Sequence, residues 1–269
     1  MPALYGTGWL LARPLSLVWP TLRPDQVDLA GLAAAMLLLV IALPWRVRRV
    51  WGQEHPWRHL GIAVPFAAGL RAALHGLQAA LLLITLVTLG LLVSGQAVWV
   101  GELNGAKLFN GLALGLGVGV AEELLFRGWL WGELALQLPA RSALLLQATI
   151  FALIHPWYRL PGLEAVGQLG GLILLGLVLA CQRRADRDCL WGAVALHGGL
   201  VGGWFLTQHG LLTIAPDALT WWVGPGGGDI NPTGGLLGWA ALGLQLWAQR
   251  RWWSRPSLQA AYRQGSGPG

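Results

Sequence analysis

Charge is what this chain has little of. Only 11% of its 269 residues are Asp, Glu, Lys or Arg, against about 25% in a soluble domain. No polar stretch is long enough to fold by itself, which excludes separate soluble modules. Lysine is nearly absent, with Lys107 standing beside 17 arginines. These basic residues are scattered between apolar runs, so the net charge of +6 forms no compact basic domain and nucleic acid is excluded as a partner. The only two cysteines, Cys181 and Cys189, bracket the charged loop QRRADRD. That loop is expected in the cytoplasm, where thiols stay reduced, so no disulfide is expected. The N-terminal stretch MPALYGTGWLLARPL has no basic region before its apolar residues and carries Arg13 within them, against a cleavable signal peptide.

What remains is apolar. The chain is 55% hydrophobic with a mean hydropathy of +0.56, and it holds 39 Gly and 17 Trp. Seven apolar segments stand out: Leu29–Trp45, Ala72–Val93, Leu108–Leu138, Ser142–Trp157, Leu163–Gln182, Leu190–Gln208 and Gly234–Trp247. An eighth, Leu4–Val18, is interrupted by Arg13 and Pro14 and either spans or lies in the interface. The expected fold is all-α, a polytopic transmembrane bundle of 7–8 helices in contact with the lipid bilayer. It divides into N-terminal membrane helices (1–107), a central core (108–210), and an external loop, last helix and cytoplasmic tail (211–269).

Arginine placement gives an expected orientation. Arg46, Arg48, Arg49, Arg58, Arg141, Arg183, Arg184, Arg187, Arg250, Arg251, Arg255 and Arg263 fall in one set of alternate loops. Only Arg13, Arg23, Lys107 and Arg159 fall in the other. The arginine-rich side is expected to be cytoplasmic, leaving the loop Gly210–Thr233 outside. The Arg-over-Lys bias is typical of a GC-rich genome.

Against this background the segment AEELLFRG, Ala121–Gly128, is anomalous. An ionisable residue at the centre of a membrane helix costs about 2.5–3.5 kcal/mol on insertion scales, and this segment has three. Glu123 and Arg127, at i and i+4, can pair, which frees Glu122 for chemistry. Gly111, Gly115 and Gly119 continue the same i, i+4 stripe upstream. Small residues let a second helix approach closely and bury that face in protein. Two further intramembrane groups complete the set. His155 ends QATIFALIH just before Pro156, and His197 lies in a segment with no charged residue. A glutamate and two histidines on separate helices suit a general base that activates water, with imidazoles holding the water or the oxyanion. They equally suit a divalent metal such as zinc. His75, Glu133 and Glu164, nearer segment ends, are assigned to the interface or to packing.

Glu122-Glu123-x-x-x-Arg127, Phe151-x-x-x-His155 and His197, in that order, resemble the motifs of the CAAX-protease and bacteriocin-processing (CPBP or Abi) family of intramembrane proteases. The resemblance covers Leu108 to about Phe205. It implies an intramembrane endopeptidase acting on a membrane-associated or lipidated peptide or protein. Glu122 would activate the hydrolytic water, supported by Glu123 and Arg127. His155 would orient that water, and His197 would belong to the oxyanion side. The expectation is a mechanism without a tightly bound metal. One position departs from the pattern: the family's third motif is His-x-x-x-Asn, and four residues after His197 this chain has Val201. That departure keeps a second expectation alive, a non-catalytic protein of the same fold serving as a bacteriocin self-immunity factor or as a scaffold for another membrane protein.

Overall fold

The computed structural model describes residues 2–253. Arg255, Arg263 and the rest of the expected cytoplasmic tail lie outside the described residues. The chain divides into two compact units, Met1–His59 and Leu60 onward.

The first unit is a helical hairpin. Helix α1 (Pro2–Ala12) stops at Arg13–Pro14, and a separate turn of helix, Leu15–Val18, follows. The segment expected over Leu4–Val18 is therefore broken at its proline, whose ring and missing N–H interrupt the helix. Helix α2 runs from Pro24 to Trp51, beyond both ends of the expected Leu29–Trp45. It ends at Gly52, whose φ of 67° is the left-handed helix stop that glycine adopts without strain. The two helices touch through backbone, since a Cβ on Gly8 would lie 2.6 Å from the Gly31 carbonyl oxygen.

The second unit holds the remaining helices. Helix α3 spans Phe66–Val93. Helix α4, Gly105–Glu123, passes into a π-helical stretch, Leu124–Leu130, and ends with Trp131–Ala135. Then come α5 (Ala140–Leu153), α6 (Gly162–Ala185), α7 (Leu190–Leu206) and α8 (Leu236–Ala248). A two-stranded antiparallel ribbon joins β1 (Ala97–Trp99) to β2 (Leu212–Ile214), with Val98 opposite Thr213.

Among the described residues, five segments are long and apolar enough to cross a membrane: Gln26–Trp51, Phe66–Val93, Gly105–Ala135, Gly162–Ala185 and Leu190–Leu211. The protein is an all-α, multi-pass integral membrane protein. The other expected spans are helical but short. α1, α5 and α8 have 11, 14 and 13 residues, where a perpendicular crossing takes about 20. α5 stops well before the expected Trp157 because Pro156 disfavours helical backbone at His155, which is extended (φ −79°, ψ 154°).

Helix α3 shows how composition sorts its faces. Leu70, Leu74, Leu77 and Leu81 are exposed, the row a lipid-facing helix presents. Ala72, Gly76, Ala79, Leu83, Val87 and Leu91 are buried. Helix α7 packs against both α3 and α4, and glycines set the distance. A Cβ on Gly115 would meet the Gly198 carbonyl oxygen at 2.5 Å, and one on Gly119 the Val194 carbonyl oxygen at 2.7 Å. Gly76 meets the Gly192 carbonyl in the same way. The glycine stripe thus brings α4 and α7 into backbone contact and buries the face carrying Glu123 and Arg127, both 0% exposed.

The connection between β2 and α8 does not stay at the end of the bundle. Its last part, Gly224–Gly235, folds inward along α6. Thr233 O packs on Gly171 and Gly234 O on Gly167, where a Cβ would come within 2.5 Å of the carbonyl oxygen. Gly171 is nine residues into α6, roughly 14 Å along its axis at 1.5 Å per residue. Irregular backbone at that depth is tolerated where it lines a cavity instead of facing lipid. The sequence suggested only an exposed connection over Gly210–Thr233.

Candidate active site

The inward loop and helices α3 to α8 enclose a cavity of about 410 Å³. Its walls are mainly aliphatic, including Leu83, Val87, Leu172, Leu175 and Leu200, and Glu122, His155 and His197 line it together. The structure therefore brings the three polar groups from α4, α5 and α7 to one place.

Glu123 and Arg127 sit behind that surface, fully buried. Arg127 Nη1 donates to Glu123 Oε1 at 2.7 Å, and His197 Nδ1 approaches the same oxygen at 2.8 Å. Arg127 Nη2 donates to Gly176 O at 3.3 Å, as does Gln147 Nε2. The Arg127 guanidinium also lies 4.4 Å from the centroid of the Phe151 ring. Phe151 is fully buried and touches both imidazoles, with ring centroids 4.6 Å from His155 and 5.9 Å from His197. It is a packing hub that fixes the two rings, which gives the phenylalanine of the second motif a physical role.

The hydrogen bonds fix the proton on each ring. His155 Nδ1 faces the Phe151 carbonyl at 2.6 Å, and a carbonyl only accepts, so Nδ1 carries the hydrogen. His197 Nδ1 faces the Glu123 carboxylate, which also only accepts, so the same tautomer follows. Both Nε2 atoms are left to face the cavity. Glu122 Oε2 lies 3.6 Å from His155 Nε2 and 3.9 Å from His197 Nε2, beyond hydrogen-bond reach of either. Glu122 Oε2 accepts no hydrogen bond among the described residues. Three acceptors thus converge, and a molecule with two O–H donors, such as water, satisfies two of them at a time.

The π-helical stretch carrying Arg127 is of a kind that recurs at functional sites. Its backbone is held from α6: Arg183 Nη1 donates to Arg127 O, and Arg183 Nη2 to Leu60 O at 3.1 Å. Arg183 is 2% exposed. Counting it with a cytoplasmic loop gave no sign of this inward role, because a terminal arginine looks alike in sequence whether it snorkels out or folds back. Gln147 and the inward loop were missed as well. The loop's GPGGGDINPTGG reads as a surface turn, and only the small residues Gly167 and Gly171 on α6 hint that backbone must approach there.

The remaining candidates lie apart. His75 Nδ1 pairs with Asp186 at 2.9 Å, and Glu133 accepts from Trp129 Nε1 at 3.1 Å. Among the described residues no group of three His, Cys, Asp or Glu side chains is arranged to hold a metal ion.

Two families match parts of the chain. Residues 1–55, nearly the whole first unit, match a domain of unknown function, DUF8676. Residues 104–202 match the Type II CAAX prenyl endopeptidase Rce1-like family. No curated protein and no solved structure matches. The second match starts at Asn104, whose side chain caps α4, and contains Glu122, Glu123, Arg127, His155, His197 and Val201. The core of this membrane protein, residues 104–202, is thus similar to the Rce1-like CAAX prenyl endopeptidase family, the group that its three motifs resemble.

Proposed function

We propose that this protein is an intramembrane endopeptidase that hydrolyses a peptide bond of a membrane-associated or lipidated peptide with a glutamate-activated water. The observation that carries the reading is the convergence of Glu122 Oε2, His155 Nε2 and His197 Nε2 on an apolar cavity while both Nδ1 atoms are engaged behind it. A water held there donates one hydrogen to Glu122 and one to an imidazole. Glu122 takes the proton as the water oxygen attacks the scissile carbonyl carbon. The proton then passes to the leaving nitrogen as the C–N bond breaks, giving a carboxylate and an amine. Glu123, paired with Arg127 and His197 Nδ1, holds the His197 ring and stays out of the proton transfer. The aliphatic walls suit an apolar or lipidated residue beside the cleaved bond. In the orientation that arginine placement favours, the ends of α6 and α7 near Arg183–Arg187 face the cytoplasm of a prokaryotic cell.

Val201 lines the same cavity without a hydrogen-bond donor, which favours a second reading as a non-catalytic scaffold or immunity protein. Complementation of a knockout strain separates the two, with the amount of each variant in the membrane fraction measured alongside. Glu122→Ala and His155→Ala should each abolish complementation at normal abundance. Full complementation by Glu122→Ala would leave the scaffold reading in its place.

A further inference from the structure

Hydrolysis at Glu122 would put negative charge on the substrate carbonyl oxygen, and a site for it needs a donor aimed into the cavity. On the protease reading, on which this inference rests, the candidate donors are the polar side chains lining the cavity. Glu122 and Asp229 are carboxylates, and both imidazoles present acceptor nitrogens. Trp204 Nε1 donates to Ile230 O at 3.0 Å and to Gln208 Oε1 at 3.0 Å. Thr233 Oγ1 accepts from Gln168 Nε2 at 2.9 Å and donates to Asn231 Oδ1 at 2.7 Å. Asn231 Oδ1 also accepts from Thr233 N at 3.2 Å. A backbone N–H only donates, so the amide orientation is fixed: the oxygen is engaged, and the NH₂ group, on an exposed residue that lines the cavity, has no partner among the described residues.

The geometry points to Asn231 as the oxyanion donor of this protein, delivered from the inward loop rather than from α7. The loop is built for such placement. Gly167, Gly171 and Gly238 each leave room for a loop carbonyl, those of Gly234, Thr233 and Pro232 in turn. Gln168, 6% exposed on α6, anchors Thr233 and through it the amide. Val201 lies on the wall of the same cavity, where α7 offers only methyl groups and the loop offers an amide.

The test measures cleavage of an internally quenched, farnesylated CAAX peptide by the purified full-length protein in proteoliposomes. N231S and N231D both keep a side-chain oxygen for the Thr233 N–H but lose the amide donor. Each should lower kcat by about 10²–10³ with KM nearly unchanged, because the bond forms only in the transition state. The thermal midpoint should not move. Adding V201N to N231S should restore at least about tenfold of that loss, a donor from α7 standing in for the one removed. A purely capping role predicts wild-type kcat for N231D, and wild-type kcat in both variants would overturn the assignment while leaving the protease reading intact. Wild-type protein that leaves the peptide uncut, or an E122A variant that cuts it equally well, would overturn the protease reading and this one together.

Discussion

Arg127→Met is the perturbation whose outcome the packing fixes most tightly. The guanidinium is 0% exposed, and its loss strips Glu123 Oε1 of a 2.7 Å charge-assisted bond and Gly176 O of a 3.3 Å bond. Met matches the aliphatic stem, so little volume is lost. What remains is a carboxylate with 0% exposure facing only His197 Nδ1. Breaking a buried pair on one side costs about 3–5 kcal/mol, which at about 2–4 °C per kcal/mol for a large domain lowers the thermal midpoint by about 6–20 °C. Replacing both charges removes the stranded anion. Arg127→Met with Glu123→Gln keeps an acceptor for His197 and should recover most of the loss, since uncharged replacement of a buried pair is often neutral. Both variants can be followed by intrinsic tryptophan fluorescence on heating in detergent. A single variant melting within about 2 °C of wild type would refute the claim that Glu123 is held as a buried anion, because less than about 1 kcal/mol would then be at stake.

Three further outcomes follow from the same contacts. Gly171→Val drives a side chain into the Thr233 carbonyl, which is backbone and cannot swing away. The inward loop should shift, at a cost of about 1–3 kcal/mol for an overpacked site, and a loop opened by the shift shows as faster proteolysis near residues 224–235. Cys189 is 5% exposed and burial pushes its thiol up, while Cys181 is 0% exposed. Neither should label with maleimide at neutral pH until the protein is unfolded, and rapid labelling of the native protein would contradict the packing at the start of α7. A cysteine placed at Asp217 in a variant lacking both native cysteines should label in intact cells without permeabilisation. Labelling only after permeabilisation would reverse the orientation drawn from arginine placement.

The sequence made the helical membrane fold legible because apolar length is a direct demand of the bilayer. It also made the polar set legible, since Glu122, Glu123, Arg127, His155 and His197 are the expensive exceptions in apolar segments. The Glu123–Arg127 pair followed from i, i+4 spacing, and the end of α5 at His155 from Pro156. Helix length was less legible. α2 gains polar turns at both ends that hydropathy does not count, and α5 and α8 are too short to cross by length alone. The β1–β2 ribbon and the inward loop depend on contacts between residues more than a hundred positions apart in one case and about sixty in the other, as Ala97 with Ile214 and Gly171 with Thr233 show. No local pattern encodes such contacts. Arg183 was hidden for the same reason: its carbonyl partners on Arg127 and Leu60 come from other elements.

The central claim is that Glu122 is the base of a hydrolytic site. Its most direct test compares purified wild type and Glu122→Gln on the farnesylated peptide, with the products identified by mass spectrometry. Gln keeps the shape of the side chain and removes its basicity, so the account predicts one cleaved bond in the wild-type products. The variant should be slower by about 10²–10⁴, the span of a general base, with its thermal midpoint unchanged. Cleavage by Glu122→Gln within about tenfold of wild type, below what a general base contributes, would contradict it.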